Sequence, residues 1–166
     1  MKINIVFKGV ITVALFFTFL TGYAQKNKRL ATYHAQKTEC LGVEMDGSQT
    51  VKAWGTGRNR FDAVAQAKKV AVSDVLFNGI TAGQQDCHLR PVLGEVNVRE
   101  KNEIYFNQFF KDGGPFLDFI SLKDERIEHK ILRDKQKSGT QVTRSVIARV
   151  DRPGLIQKMK EDGILK

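Results

Sequence analysis

The chain has 166 residues, and its 27 basic and 18 acidic side chains give it a formal net charge of +9. This length suits one domain with a hydrophobic core, and the positive charge favours contact with anionic partners. The basic residues are spread along the sequence and are not interleaved with aromatic residues. We therefore expect a solvated basic surface and no binding of nucleic acid.

The N-terminus has the pattern of a secretory signal peptide. Lysines precede an apolar run over residues 9–20, and small residues follow at Gly22 and Ala24, as a cleavage site requires. The run is shorter than the roughly 20 residues of a membrane span, so we expect cleavage after residues 1–24 and no transmembrane span in the mature chain. The alternative is an uncleaved anchor. No cysteine precedes Cys40, which argues against a lipid anchor. The protein is thus predicted to be exported, to the periplasm or the extracellular space.

Residues 25–37 are polar and form a predicted lead-in, which leaves one domain over residues 38–166. Residues 38–45 and 49–54 have strand character, and the turn-forming sequence Asp-Gly-Ser stands between them. The pair predicts a β-hairpin.

The helix predicted from Asn59 to Asn78 has apolar residues at helical spacing, and Gly79 is placed to end it. Its alanines permit close packing on a sheet. We assign to the core a stripe that consists of Phe61, Val64, Ala65, Ala71, Val72 and Val75.

Residues 81–96 are rich in turn residues and predict a long connection. Asn97 and Glu100 resemble a capping box for a second helix that reaches Asp112. Residues 116–122 have the composition of a short strand.

A second hairpin is predicted from arms at 126–133 and 141–150, with its turn at 135–139. The last helix begins near Pro153 and ends at Gly163. The order β-β-α-α-β-β-α predicts an α+β domain, in which an antiparallel sheet made from two hairpins packs against the alanine-rich helix.

The two cysteines, Cys40 and Cys87, lack the spacing of a redox or zinc motif. In an exported chain they are expected to form one structural disulfide. Its loop of 48 residues would stabilise the fold by about 4 kcal/mol in the chain-entropy model. Two unpaired buried thiols are the alternative.

The turn Gly55-Thr56-Gly57 resembles the start of a nucleotide-binding loop. A dinucleotide-binding fingerprint would need a third glycine where Arg60 stands, in a parallel βαβ unit, whereas the strand before this turn belongs to a predicted hairpin. We interpret the glycines as a tight connection from strand to helix.

Arg58 and Arg60 lie where a helix dipole disfavours positive charge. Asp62 offsets this charge, or else both arginines and the helix N-terminus form an anion-binding site.

No motif for catalysis, metal or cofactor is recognised. His88 directly follows Cys87, but neighbours on an extended chain point in different directions and form no dyad. His34 and His129 lie in the lead-in and in a predicted strand. The five serines lack the G-x-S-x-G motif. We predict a protein that is not an enzyme.

Aromatic residues cluster between Tyr105 and Phe119. They either fill the core beneath the sheet or form an exposed surface for a partner or a second copy. The residues assigned to that partner-binding surface are Phe106, Phe109, Phe110 and Phe116.

The segments VKAWGTGRNRFDAVAQAKKVAVSDVLFNGI (51–80) and SVIARVDRPGLIQKMKEDGIL (145–165) resemble small exported bacterial envelope domains. Examples are the N-terminal domain of the flagellar assembly protein FlgT and related small lipoproteins. The chain departs from them in its long segment 81–122 and, for the lipoproteins, in lacking a lipidation cysteine. The resemblance implies a non-catalytic assembly module that binds an envelope protein or itself. A binder of acidic glycans or lipid headgroups is the alternative function.

Overall fold

The computed structural model describes residues 37–84, 86–87, 90–122, 135–138 and 141–165, with the backbone alone described over 135–138. All of them belong to the unit Gln36–Lys166. The predicted signal peptide, the lead-in except its last residue, the hairpin arm at 126–133 and all three histidines lie outside the described residues.

The sheet is built around two long antiparallel strands. The strands are β1 (Glu39–Val43), β2 (Gln49–Gly57), β3 (Ala82–Gly83), β4 (Ile120–Leu122), β5 (Lys135–Ser138) and β6 (Gln141–Val150). Their order is β3-β1-β2-β6-β4, and β5 pairs with β6 as well. The β2–β6 register runs from Gln49 opposite Val150 to Gly57 opposite Val142. The predicted β1–β2 hairpin is confirmed.

In the described residues the sheet is accompanied by the helices α1 (Arg60–Ser73), α2 (Val98–Lys101), α3 (Glu103–Phe109) and α4 (Arg152–Glu161). Helix α1 continues into a π-helical turn, Asp74–Asn78. Helix α1 begins after Asn59, whose side chain accepts a 3.0 Å hydrogen bond from the Asp62 amide. Gly79 follows the end of the π-helical turn with a φ of 71°. A short side chain that caps the first turn and a glycine in the left-handed region are the expected helix boundaries.

The predicted α+β class is confirmed, with differences in detail. The sheet is mixed, because β3 lies parallel to β1. Residues 135–138 form a strand instead of the expected turn, and they pair with β6.

The central region also differs from the prediction. The expected helix over 97–112 is divided at Asn102, between α2 and α3. The capping box is wrong, because Asn97 has a φ of 60° and its side chain makes no capping hydrogen bond. Residues 116–122 are only partly a strand, since a 3₁₀ helix (Pro115–Phe119) precedes β4.

Helix α1 packs on β2 through its smallest residues. Val51 and Ala53 on β2 are fully buried, as are Ala63, Ala67 and Ala71 on α1, which recur at intervals of four residues along one helix face. The stripe assigned to the core from the sequence is therefore partly wrong. Its members Ala71, Val72 and Val75 are buried, whereas Phe61 is 82% exposed, Ala65 is exposed and Val64 is half-buried.

The predicted disulfide between Cys40 and Cys87 is present. It joins β1 to the connection that follows β3, and both cysteines are buried in the core. The Gln84 amide also donates a hydrogen bond to the Cys40 carbonyl oxygen. The long connection is thus attached to the sheet edge covalently and through its backbone.

Candidate functional site

The aromatic residues between Tyr105 and Phe119 mainly form core. Phe106, Phe109 and Phe116 are each 2% exposed, so the expectation that they form an exposed partner-binding surface is wrong. Phe110 is half-buried among them, with its ring centroid 5.0 Å from Phe109 and 5.8 Å from Phe116. Edge-to-face and offset contacts of this kind are typical of packed aromatic cores. The structure matches the alternative that the sequence left open.

At the Gly-x-Gly segment, which ends β2, α1 lies very close to the sheet. A Cβ atom added at Gly55 would lie 2.8 Å from the Ala67 Cα, and one added at Gly57 would lie 2.6 Å from the Ala63 amide nitrogen. Both glycines belong to β2, which is paired on both sides by antiparallel strands. Helix–strand packing therefore accounts for them. They are strand residues paired with β6, and the connection to α1 follows Gly57, so the interpretation of the glycines as the connection itself is corrected.

Arg58 and Arg60 lie at the start of α1, as expected, but they differ in their surroundings. The Arg58 side chain is 93% exposed, and its Nε lies 3.7 Å from an Asp62 carboxylate oxygen. Arg60 is half-buried. The Asn59 side chain already accepts from the Asp62 amide, so this helix end is partly occupied by the chain's own groups.

Both arginines line an open groove with a volume of about 810 Å³. One wall is formed by α1 and the end of β2 (Thr56 and Gly57), and the other by Asp112, Gly113, Phe116, Leu117, Leu122 and Gln141. This groove, called the α1 groove below, has an apolar strip made by Phe61, Val64, Ala65, Phe116, Leu117 and Leu122. A groove of this size is in the range of protein ligand sites.

An ion pair links the two walls of the α1 groove. The Lys69 Nζ lies 2.7 Å from an Asp112 carboxylate oxygen and 5.9 Å from the centre of the Phe116 ring. The hydrogen bond and charge of Lys69 lower the pKa of Asp112. Lys69 therefore already has a carboxylate partner and is not counted among the cations open to a ligand.

The α1 groove carries more positive than negative charge. Its basic residues are Arg58, Arg60, Lys68 and Lys69, against the two carboxylates Asp62 and Asp112. Within the part of the chain that the structure describes, neither Arg60 nor Lys68 has a carboxylate within ion-pairing distance. These two cations are available to a ligand.

Sequence reasoning missed the groove because it combined two faces of α1 into one. Phe61, Val64, Ala65 and Lys68 recur at i, i+3, i+4 and i+7 and share one face, whereas Ala63, Ala67 and Ala71 share another. The alanine spacing was the signal that could have separated the faces, since a small-residue face beside a Gly-x-Gly strand is the one that packs closely.

Among the described residues, no group of three or more His, Cys, Asp or Glu side chains is arranged to hold a metal ion. No helix in the same part of the chain combines the length and apolar character needed to cross a membrane. Comparisons with protein-family models, curated proteins and solved structures found no match to this chain. The resemblance to flagellar and envelope assembly domains stays a prediction.

Proposed function

We propose that this protein is a non-enzymatic, exported binding module that contacts a partner protein through the α1 groove. The observation that carries the proposal is Phe61, an aromatic side chain 82% exposed on the wall of a groove with further apolar residues. Covering such a side chain contributes about 1.5–3 kcal/mol. Aromatic residues in a concave surface are typical centres of protein interfaces.

Export is supported by two independent features. The N-terminal sequence has the charge and apolar pattern of a signal peptide. The cysteines form a disulfide, and such bonds persist in oxidising compartments such as the periplasm or the extracellular space.

An anionic ligand is the second candidate function. It is favoured by the cations Arg58, Arg60 and Lys68 in the α1 groove. A glycan or lipid headgroup held by charge alone would bind weakly at high salt, because dissolved ions screen exposed charges. The screening length is about 10 Å at 0.1 M salt and shortens as the salt concentration rises. Salt dependence therefore separates the two candidates.

The test is affinity capture from an envelope extract of the producing cell, with wild-type protein, Phe61→Ser and Ile104→Ser. Ile104 is also 82% exposed but lies on α3, outside the groove, so it is a matched control. We expect the wild type and the Ile104 variant to capture the same partner protein at both low and high salt. We expect Phe61→Ser to lose it. Equal retention by both variants would contradict the proposal, and capture of polyanions at low salt alone would favour the second candidate.

A further inference from the structure

The α1 groove has an ordered alternation of charge and apolar surface. Arg60, Val64 and Lys68 follow one another at intervals of four residues on α1 and all line the groove. Since an α-helix rises 1.5 Å per residue, the two cations are attached about 12 Å apart along the axis, with an apolar position midway. Phe61 lies beside this row.

An extended peptide has a matching spacing. Its residues i, i+2 and i+4 share one face, and each pair of steps covers about 6.6 Å. Carboxylates at i and i+4 are then about 13 Å apart, with an apolar side chain midway between them. We propose that the α1 groove binds an extended acidic segment of a partner protein with the pattern acidic-x-apolar-x-acidic. This inference rests on the proposed function and specifies its ligand.

The charges of the α1 groove favour this occupant over others. Asp62 and Asp112 line it together with the cations, so a continuous polyanion or an anionic lipid surface would meet carboxylates as well as basic residues. A second copy of the chain would bring another net charge of +9 towards a basic surface. A segment with separated carboxylates and a central apolar residue avoids both repulsions.

The probes are three immobilised synthetic peptide libraries. One has the pattern acidic-x-apolar-x-acidic, the second has Lys in place of both acidic residues, and the third has Ser in place of the apolar residue. Fluorescently labelled mature protein is applied at low and moderate salt. We expect binding to the first library only, with an affinity that falls about threefold or more between 50 and 200 mM salt, since exposed ion pairs are screened.

Variants of the chain test which residues are responsible. We expect Arg60→Glu combined with Lys68→Glu to weaken binding at least tenfold, and Phe61→Ser to weaken it similarly. The matched control is Arg90→Glu combined with Lys160→Glu, because it changes the net charge equally at two exposed positions outside the groove. Unchanged circular dichroism and melting temperature establish that each variant is folded.

Three results would overturn the inference: equal binding to the acidic and basic libraries, no effect of the Arg60 and Lys68 changes, or binding to phosphatidylglycerol vesicles in preference to every peptide. If capture from the extract depends on Phe61 while acidic peptides are not preferred, the inference fails and the proposed function stands. If capture does not depend on Phe61, the proposed function itself fails.

Discussion

Replacing Gly55 by Ala tests whether close helix packing is the reason for the Gly-x-Gly turn. The added Cβ would lie 2.8 Å from the Ala67 Cα and closer still to the Ala63 carbonyl oxygen and the Ala67 amide nitrogen. Ordinary carbon–carbon contacts are about 3.5–4.0 Å, so α1 would have to move away from β2 by about 1 Å. All three atoms are backbone, and no side-chain rotation relieves the overlap.

The expected cost follows from the packing that this movement disturbs. Overfilling a packed core typically costs about 1–3 kcal/mol, and we expect the upper end because the clash is with backbone. Alanine also restricts the unfolded chain, which offsets about 0.4–1 kcal/mol of this loss. The free energy of unfolding should therefore fall by about 2 kcal/mol. With a urea dependence of about 1–3 kcal/mol per M, the midpoint would fall by about 1 M.

Urea unfolding followed by circular dichroism and by Trp54 fluorescence provides the measurement. Trp54 is the single tryptophan and is adjacent to Gly55, so it reports on the affected strand. Gly94→Ala is the matched control, because a Cβ there meets no atom within 4 Å. We expect that variant to be as stable as the wild type or slightly more stable. If the two variants unfold at the same urea concentration, the packing explanation of Gly55 is refuted.

Two further predictions concern other parts of the fold. Changing Cys40 and Cys87 together to Ala should lower the free energy of unfolding by about 4 kcal/mol, because the disulfide closes a loop between two residues that are 47 positions apart. A loss below about 1 kcal/mol in urea unfolding would contradict this. Tyr105 and Lys158 donate hydrogen bonds to Asp162 and lower its pKa below 3.8. Its ionised form therefore stabilises the fold at neutral pH, and this contribution is lost as the pH falls through the lowered folded-state pKa. The stability difference between wild type and Asp162→Asn should accordingly shrink in acid, and a difference that is constant between neutral pH and about pH 3 would argue against this role.

The sequence predicted the elements with strong local signals. Asn59 and Gly79 mark the boundaries of α1 and its π-helical turn, and the residue patterns of β2 and β6 indicated that each is a strand. They did not indicate that these two strands pair with each other, because the sequence predicted a separate hairpin for each. Local patterns could not predict the parallel pairing of β3, because only two residue pairs form it and the disulfide holds it at the sheet edge. Nor could they predict the left-handed Asn97, whose conformation depends on the path of the chain before it.

The candidate site was predicted in part. Arg58 and Arg60 do lie together at a concave surface, because the strand-to-helix turn that holds them has a clear sequence signal. The environment of the aromatic residues was left open between core and surface, since a cluster of Phe side chains has the same sequence pattern in both, and only the assignment to a partner-binding surface is wrong. In the structure, α3 and the 3₁₀ helix place Phe106, Phe109 and Phe116 in the core. This placement depends on contacts between residues that are distant in sequence.

The Gly-x-Gly turn and the α1 groove have a common physical origin. Because Gly55 and Gly57 let α1 lie against β2, the helix packs there through Ala63, Ala67 and Ala71, while Phe61 and Val64 line the α1 groove. Phe61 is exposed there, so folding would be served equally well by a polar residue with helix propensity. An aromatic side chain that folding does not require, beside two unpaired cations in the described part of the groove, is more readily explained by contact with a partner.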